Sequence, residues 1–173
     1  MASPRDMLLP GITMRLATRA DADALMAIFQ AAARWLLGRG IQQWTPEDFH
    51  RERLITAIDR GEVYAAVRDG AIVGTLTLTW ADPHVWGEQP DDAGYVHGLA
   101  IRRDAAGQGL GAVMLAWAGR AVAAAGRPHL RLDCMAANAG LRAYYEHVGF
   151  TYVRDLPDGS WSASLYEKRT VSV

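Results

Sequence analysis

The stretch from Arg102 to Val122 reads RRDAAGQGLGAVMLAWAGRAV, with glycine at Gly107, Gly109 and Gly111 just ahead of an alanine-rich run. Glycine loses more backbone freedom on ordering than any other residue, so a cluster of it needs a structural or chemical reason. The order strand, glycines, helix presents unpaired main-chain N–H groups and the positive helix end to an anion. The missing side chains let a phosphate approach the backbone closely. The plain alternative is a tight strand–helix turn built with glycine. Two familiar phosphate loops fit poorly. The nucleoside-triphosphate loop needs Lys and then Ser or Thr after its last glycine, where this chain has Ala112 and Val113. The dinucleotide fingerprint spaces its glycines G-x-G-x-x-G early in a βαβ unit, and here the spacing is G-x-G-x-G, past mid-chain.

A third pattern fits better. LAIRRDAAGQGLGA, followed about thirty residues on by NAGLRAYYEHVGF, resembles the GCN5-related N-acetyltransferases (GNAT). Members of that family carry a loop of the form R/Q-x-x-G-x-G/A after their fourth strand. An Asn-led helix with aromatic-Tyr-Glu and a terminal Gly-Phe follows. The resemblance runs in element order from Arg15 to Lys168 and is sharp over Tyr95 to Phe150. It implies an α/β (α+β) fold in three layers: a mixed, mostly antiparallel central sheet with strands four and five splayed apart, and helices on both faces. It implies an enzyme that moves an acetyl group from acetyl-CoA to a primary amine of a small molecule or peptide, by direct attack in a ternary complex. Acetyl-CoA is then the cosubstrate, and no metal is expected.

Carried over residue by residue, the main chain of Leu99, Ala100 and Ile101 would bond the pantetheine arm and polarise the thioester carbonyl. The backbone of Gly107, Gln108, Gly109, Leu110, Gly111 and Ala112 would hold the pyrophosphate, and Asn138 would hold pantetheine. One position departs from the pattern. The loop's first residue, Arg or Gln in the family, is Ala106, and Arg102, Arg103 and Arg142 are the candidates to replace the lost charge. A non-catalytic acyl-CoA-binding sensor on the same fold is the alternative function that this departure suggests.

Acetyl transfer also needs an acid for the departing thiolate and a neutral amine. Tyr145 occupies the family's tyrosine position, and a phenol's reference pKa of about 10 lies near enough to a thiol's ~8.5 to serve as the acid. For the base, His97 lies two residues before Leu99, on the same face if the strand alternates regularly. Some aralkylamine acetyltransferases have a histidine at the equivalent place, working through water. Asp133, Glu62, a water chain along backbone carbonyls, and loss of the proton to solvent remain open alternatives.

The elements that must position these groups are legible in outline. Ile12 to Leu16 alternates as a strand, and apolar residues at Leu25, Ile28, Phe29, Ala32 and Leu36 mark a helix opened by Thr18 and Asp21 and closed near Gly38 or Gly40. Thr45, Pro46, Glu47 and Asp48 predict the start of a second helix. EVYAAVRDGAIVGTLTLTW is a hairpin about Asp69-Gly70, and ADPHVWGEQPDDAG a long polar loop. A strand through YVHGLAI, a helix to about Ala125, a strand at HLRLDCM and a helix ended by Gly149 follow. FTYVRD and SWSASLYEK then form a closing pair across Pro157 to Gly159. The long loop and the first helix–loop–helix offer Trp35, Trp44, Trp80 and Trp86 with Glu47, Asp48, Glu88, Asp91 and Asp92. Such a set suits a small cationic amine.

The bulk properties bound the reading. The chain has 173 residues, half of them apolar, and a formal net charge of −1. That fits one domain over 12–173 behind a loose tail at 1–11. It gives no reason to expect a nucleic-acid or membrane partner. The single cysteine, Cys134, excludes an internal disulfide and fits a reducing compartment, so the cytoplasm is the expected location. No apolar span is long enough for a transmembrane helix. The expected partner is the amine or peptide acceptor, with a homodimer as an allowed assembly.

Overall fold

The computed structural model describes residues 11–158 and 161–171. Apart from Gly11, the expected N-terminal tail lies outside them. Seven strands form one sheet in the order β1-β2-β3-β4-β5-β7-β6: β1 Ile12–Leu16, β2 Val63–Arg68, β3 Ala71–Thr79, β4 Ala93–Ile101, β5 His129–Met135, β6 Thr151–Asp158 and β7 Trp161–Arg169. The helices are α1 Ala22–Gly38, α2 Arg51–Asp59, α3 Pro83–Trp86, α4 Leu110–Ala124 and α5 Ala139–His147. The pairs β1–β2, β2–β3, β5–β7 and β6–β7 are antiparallel, and β4–β5 is parallel. No helix among the described residues is long and apolar enough to cross a membrane.

Contacts divide the chain into two compact units. One comprises the chain to Leu78 with Gly98–Trp117, the other Thr79–His97 with the chain from Ala118 on. In the first unit α1 buries Leu25, Ile28 and Phe29 with Ile58, Val63 and Ala100. Its entry is held by the expected pair. The Thr18 N–H donates to the Asp21 carboxylate at 2.7 Å, and the Arg15 guanidinium beside it holds that carboxyl well below its usual range. The hairpin turns on Asp69 (φ 51°) and Gly70 (φ 76°), the left-handed pair that a two-residue turn requires. In the second unit Trp86, Ala93, Tyr95, Ala163 and Leu165 form the core.

Three expectations need correction. Thr45 to Asp48 makes only a single 3₁₀ turn over Pro46–Asp48, and the second helix opens at Arg51. Phe49 explains the break. Its ring stacks on Phe29 at 4.8 Å and meets Trp44 edge-on at 5.5 Å, and reaching them draws the backbone into an extended conformation. The long loop after β3 is not structureless, because Pro83–Trp86 is a helical turn that sinks Trp86 into the core. The closing pair is longer than expected: β6 continues through Pro157, paired with Ser162, and of the predicted turn Gly159 lies outside the described residues. Proline is tolerated there because β6 is an edge strand.

Gly74 on β3 has no room for a side chain. A Cβ there would stand 2.9 Å from Met114 Sδ, 3.1 Å from Ile101 Cδ1 and 3.2 Å from the Ala100 carbonyl oxygen. The methionine can move, but the backbone oxygen cannot. Gly74→Ala is expected to cost about 1–3 kcal/mol, read as a lower midpoint in urea unfolding with an unchanged slope. An unchanged midpoint would show that the strand yields freely.

Candidate active site

The glycine loop belongs to the first unit. After β4 the Arg102 N–H donates to Val73 O at 2.8 Å, Arg103–Ala105 makes one 3₁₀ turn, and α4 starts at Leu110. Gly107 (φ 77°) and Gly109 (φ 78°) both lie in the left-handed region, where a side chain is strained. A Cβ at either would touch nothing within 4 Å, so the backbone sense demands glycine there and crowding does not. Gly111 sits in the first turn of α4. The loop therefore keeps the main-chain face that an anion needs.

The arginines nominated from the sequence to replace the charge missing at Ala106 are each engaged with other groups. Arg102 is bound to Asp104 (2.6 Å) and to Ile72 O, Arg103 lies 4.0 Å over the Trp35 ring, and Arg142 donates to the Tyr166 hydroxyl. Instead Arg68, at the end of β2, donates from Nη1 to Gln108 Oε1 at 2.7 Å, which ties a cation to the loop. Forty residues separate the pair, and no local pattern in the sequence marks it.

The other candidate groups belong to the second unit. Asn138 caps α5, its Oδ1 accepting from Leu141 N at 3.1 Å. Tyr145, about two turns further on, is buried against Phe150 and Tyr166. Burial pushes its phenol well above the reference value assumed from the sequence, with Cys134, Tyr144 and Asp133 adding to the effect. The hydroxyl therefore keeps its proton, and the near match to a thiol's pKa on which the sequence reading relied does not hold in this environment. Burial likewise pushes the Cys134 thiol up to about 12, which makes it inert.

His97 and Asp133 come together. Both lie two residues beyond the last registered β4–β5 pair, Tyr95↔Arg131. With Asp82 they form a cluster whose ligating atoms all lie within 4.8 Å of one another. Asp82 was not foreseen from the sequence. Burial raises the Asp133 carboxyl above its ordinary value, with nearby His97 opposing the shift and Asp82 reinforcing it. The regular alternation that would align His97 with Leu99 does not carry through, because the intervening Gly98 is left-handed (φ 55°) and kinks the strand. The rival Glu62 is not part of this cluster; its main-chain oxygen accepts from Leu78 N.

The aromatic and acidic set expected to receive an amine is largely committed elsewhere. Trp44 packs edge-on against the stacked Phe29 and Phe49, Trp35 faces Arg39 and Arg103, Trp80 faces Arg127, and the buried Trp86 faces Arg131. Asp91 pairs with Arg127, Asp92 with Arg131, and Asp48 with the Thr45 N–H.

The described geometry can be set beside known proteins. Residues 24–150 match the model of the acetyltransferase (GNAT) family. An uncharacterized N-acetyltransferase of Bacillus subtilis, YesJ, is 30% identical over 142 residues, 77% of this chain and 78% of that one. A GNAT-family acetyltransferase from Listeria monocytogenes superposes with a TM-score of 0.78 at 26% identity, covering 91% of this chain and 94% of that chain. YncA of Salmonella typhimurium, a putative acetyltransferase solved with acetyl-CoA, shares the fold at a TM-score of 0.68 and 15% identity, over 94% and 96% of the two chains. The fold is thus the three-layer α/β arrangement expected, its mixed sheet carrying helices on both faces, and the chain belongs to the GNAT acetyltransferase family.

Proposed function

We propose that the chain is an acetyl-CoA-dependent N-acetyltransferase acting on a primary amine of a small molecule or peptide, within one domain over residues 12–173. The left-handed Gly107–Gly109 loop opening α4 carries the reading, because its backbone sense demands glycine and a Cβ at either position would meet open space, which leaves room for a phosphate against the main chain. Acetyl-CoA bound to a structural relative supports the choice of cosubstrate. In this reading the backbone from Gly107 to Ala112 holds the pyrophosphate, and Arg68 supplies the charge that Ala106 lacks. Leu99, Ala100 and Ile101 bond the pantetheine arm and Asn138 steadies it. The neutral amine attacks the thioester carbonyl, the C–S bond breaks, and Tyr145 protonates the departing thiolate. His97 takes the proton that the amine gives up.

Saturating acetyl-CoA should raise the melting temperature, by an amount set by mass action: about 2.7 kcal/mol of stability at a hundred times Kd. Gly109→Asp should abolish the shift by adding a charge where the phosphates sit, and Arg68→Ala should weaken binding roughly five- to fifty-fold. A full shift in Gly109→Asp would place the phosphates elsewhere. Binding without CoA release across an amine panel would favour the non-catalytic module.

Tyr145→Phe should lower kcat by about ten- to a thousand-fold while acetyl-CoA affinity stays close to that of the wild type. If Tyr144→Phe does the damage instead, the acid is the neighbouring residue.

His97 is tested with pH–rate profiles for two amines of well-separated pKa. A limb at the same pH for both amines, lost together with turnover in His97→Ala, would identify the histidine as the base. A limb that follows each amine and survives the substitution would give the proton to solvent.

A further inference from the structure

Asp82 stands out among the described carboxylates. Its side chain is only 9% exposed, and Oδ2 has neither solvent contact nor a hydrogen-bond partner among the described residues. His97 Nε2 lies 3.9 Å from it. Asp133 completes the group, within 4.8 Å. Leaving a buried oxygen without a partner is costly, and more so when it is charged. Two carboxylates facing each other add repulsion. A cation between the oxygens would offset the charge of this arrangement.

The His97 imidazole lines the same opening, with the Thr79 hydroxyl 3.2 Å from its Nε2 and also 3.2 Å from Ala81 O. The Asp82–His97 separation of 3.9 Å lies between the ~3.4 Å expected of ligands around a tetrahedral metal and the ~4.7 Å expected of acceptors around an ammonium, so the zinc arm of the test below distinguishes the two. The His97 side chain is 35% exposed, which leaves the cluster a route to solvent.

We propose that Asp82 and Asp133 receive the ammonium group of the acceptor, which makes the acceptor a primary alkylamine that arrives as a cation rather than a neutral arylamine. The assignment rests on the acetyltransferase reading and adds a specificity residue, Asp82, on the loop after β3. The carboxylates attract and orient the charged form, and the fraction that loses its proton is then already in place to attack. A cation between the carboxylates opposes the effect of the burial that raises the Asp133 carboxyl. Asp91 and Asp92, on the same loop, are closed off by Arg127 and Arg131 and leave this task to Asp82.

The test is steady-state acetylation of a primary alkylamine panel by the full chain, with n-hexylamine, phenethylamine and 1,4-diaminobutane as probes. Asp82→Asn should raise KM for the best of them at least tenfold and change kcat less than threefold, with Asp82→Glu recovering part of the loss. The acetyl-CoA melting shift, measured in each variant, reports whether it has folded. Should Asp82→Asn not fold, Asp133→Asn is expected to raise KM in the same way. An unchanged KM in a folded variant that still shifts with acetyl-CoA overturns the proposal and leaves the acetyltransferase reading intact. An acetyl-CoA shift with no turnover on any amine overturns that reading itself. Turnover abolished by EDTA and restored by zinc assigns the cluster to a metal and overturns the ammonium site.

Discussion

The parallel ladder between β4 and β5 consists of three pairs, Ala93↔His129, Gly94↔Leu130 and Tyr95↔Arg131, and what anchors the last of them governs the chemistry beyond it. That anchor is a buried cation. Arg131 is 5% exposed, and it donates to Glu167 at 2.7 Å, Asp92 at 3.1 Å and the Tyr95 hydroxyl at 3.0 Å, with its guanidinium 5.1 Å from the centre of the Trp86 ring. An unpaired guanidinium in this position would cost several kcal/mol, so these neighbours are held as a set. They come from β4, from β7 and from the loop ahead of β4. The ladder is therefore fastened where it ends.

Past that point His97 and Asp133 are each two residues along their strands, and Asp82 approaches from the loop. The electrostatic consequence has a definite sign. A carboxyl whose folded pKa is raised binds its proton more tightly in the folded chain than in the unfolded one. The stability it contributes is present below the ordinary carboxylate value and is lost as pH rises through the raised value. At neutral pH the ionised form of Asp133 is thus an expense to the fold. Asp133 raised by burial and Asp82 with an unbonded oxygen describe the same condition, a buried site whose negative charge the chain offsets only through His97.

The sequence carried the strands, the hairpin turn and the glycine loop well, because each depends on local chemistry: alternation, an Asp-Gly pair, left-handed glycines before a helix. Where it misled, a distant side chain decided the outcome. Thr45 to Asp48 has the composition of a helix start, yet Phe49 is drawn toward Phe29 and the helix waits until Arg51. Four tryptophans and a run of acids looked like an amine cage, yet each tryptophan found a protein partner and two of the acids found arginines. Arg68 and Asp82 could not be picked out because their meaning lies in pairing and burial. Arg68 matters for the glutamine it reaches forty residues away. Asp82 matters for the partner it lacks. Gly98 also mattered more than its letter suggested, since one left-handed residue breaks the alternation between His97 and Leu99.

The loop after β3 explains why an unpaired carboxylate survives in a folded chain. Asp82 could relieve its burial by swinging outward, but its backbone is not free to turn. Its carbonyl accepts from Trp86 N at 2.9 Å as the first bond of α3, and Pro83 follows it directly. Trp86 is itself buried beside Tyr95, and its own carbonyl accepts from Gln89 at 3.0 Å. Arg127 binds the Trp80 and Ala93 carbonyls near the two ends of the loop, at 2.9 and 2.8 Å, and pairs with Asp91 as well. The arginines that neutralise Asp91 and Asp92 thus also hold the loop in the shape that keeps Asp82 facing His97. A residue restrained in this way does not pay again for ordering when a ligand arrives, so its attraction for a cation is expressed in affinity rather than consumed in rearrangement.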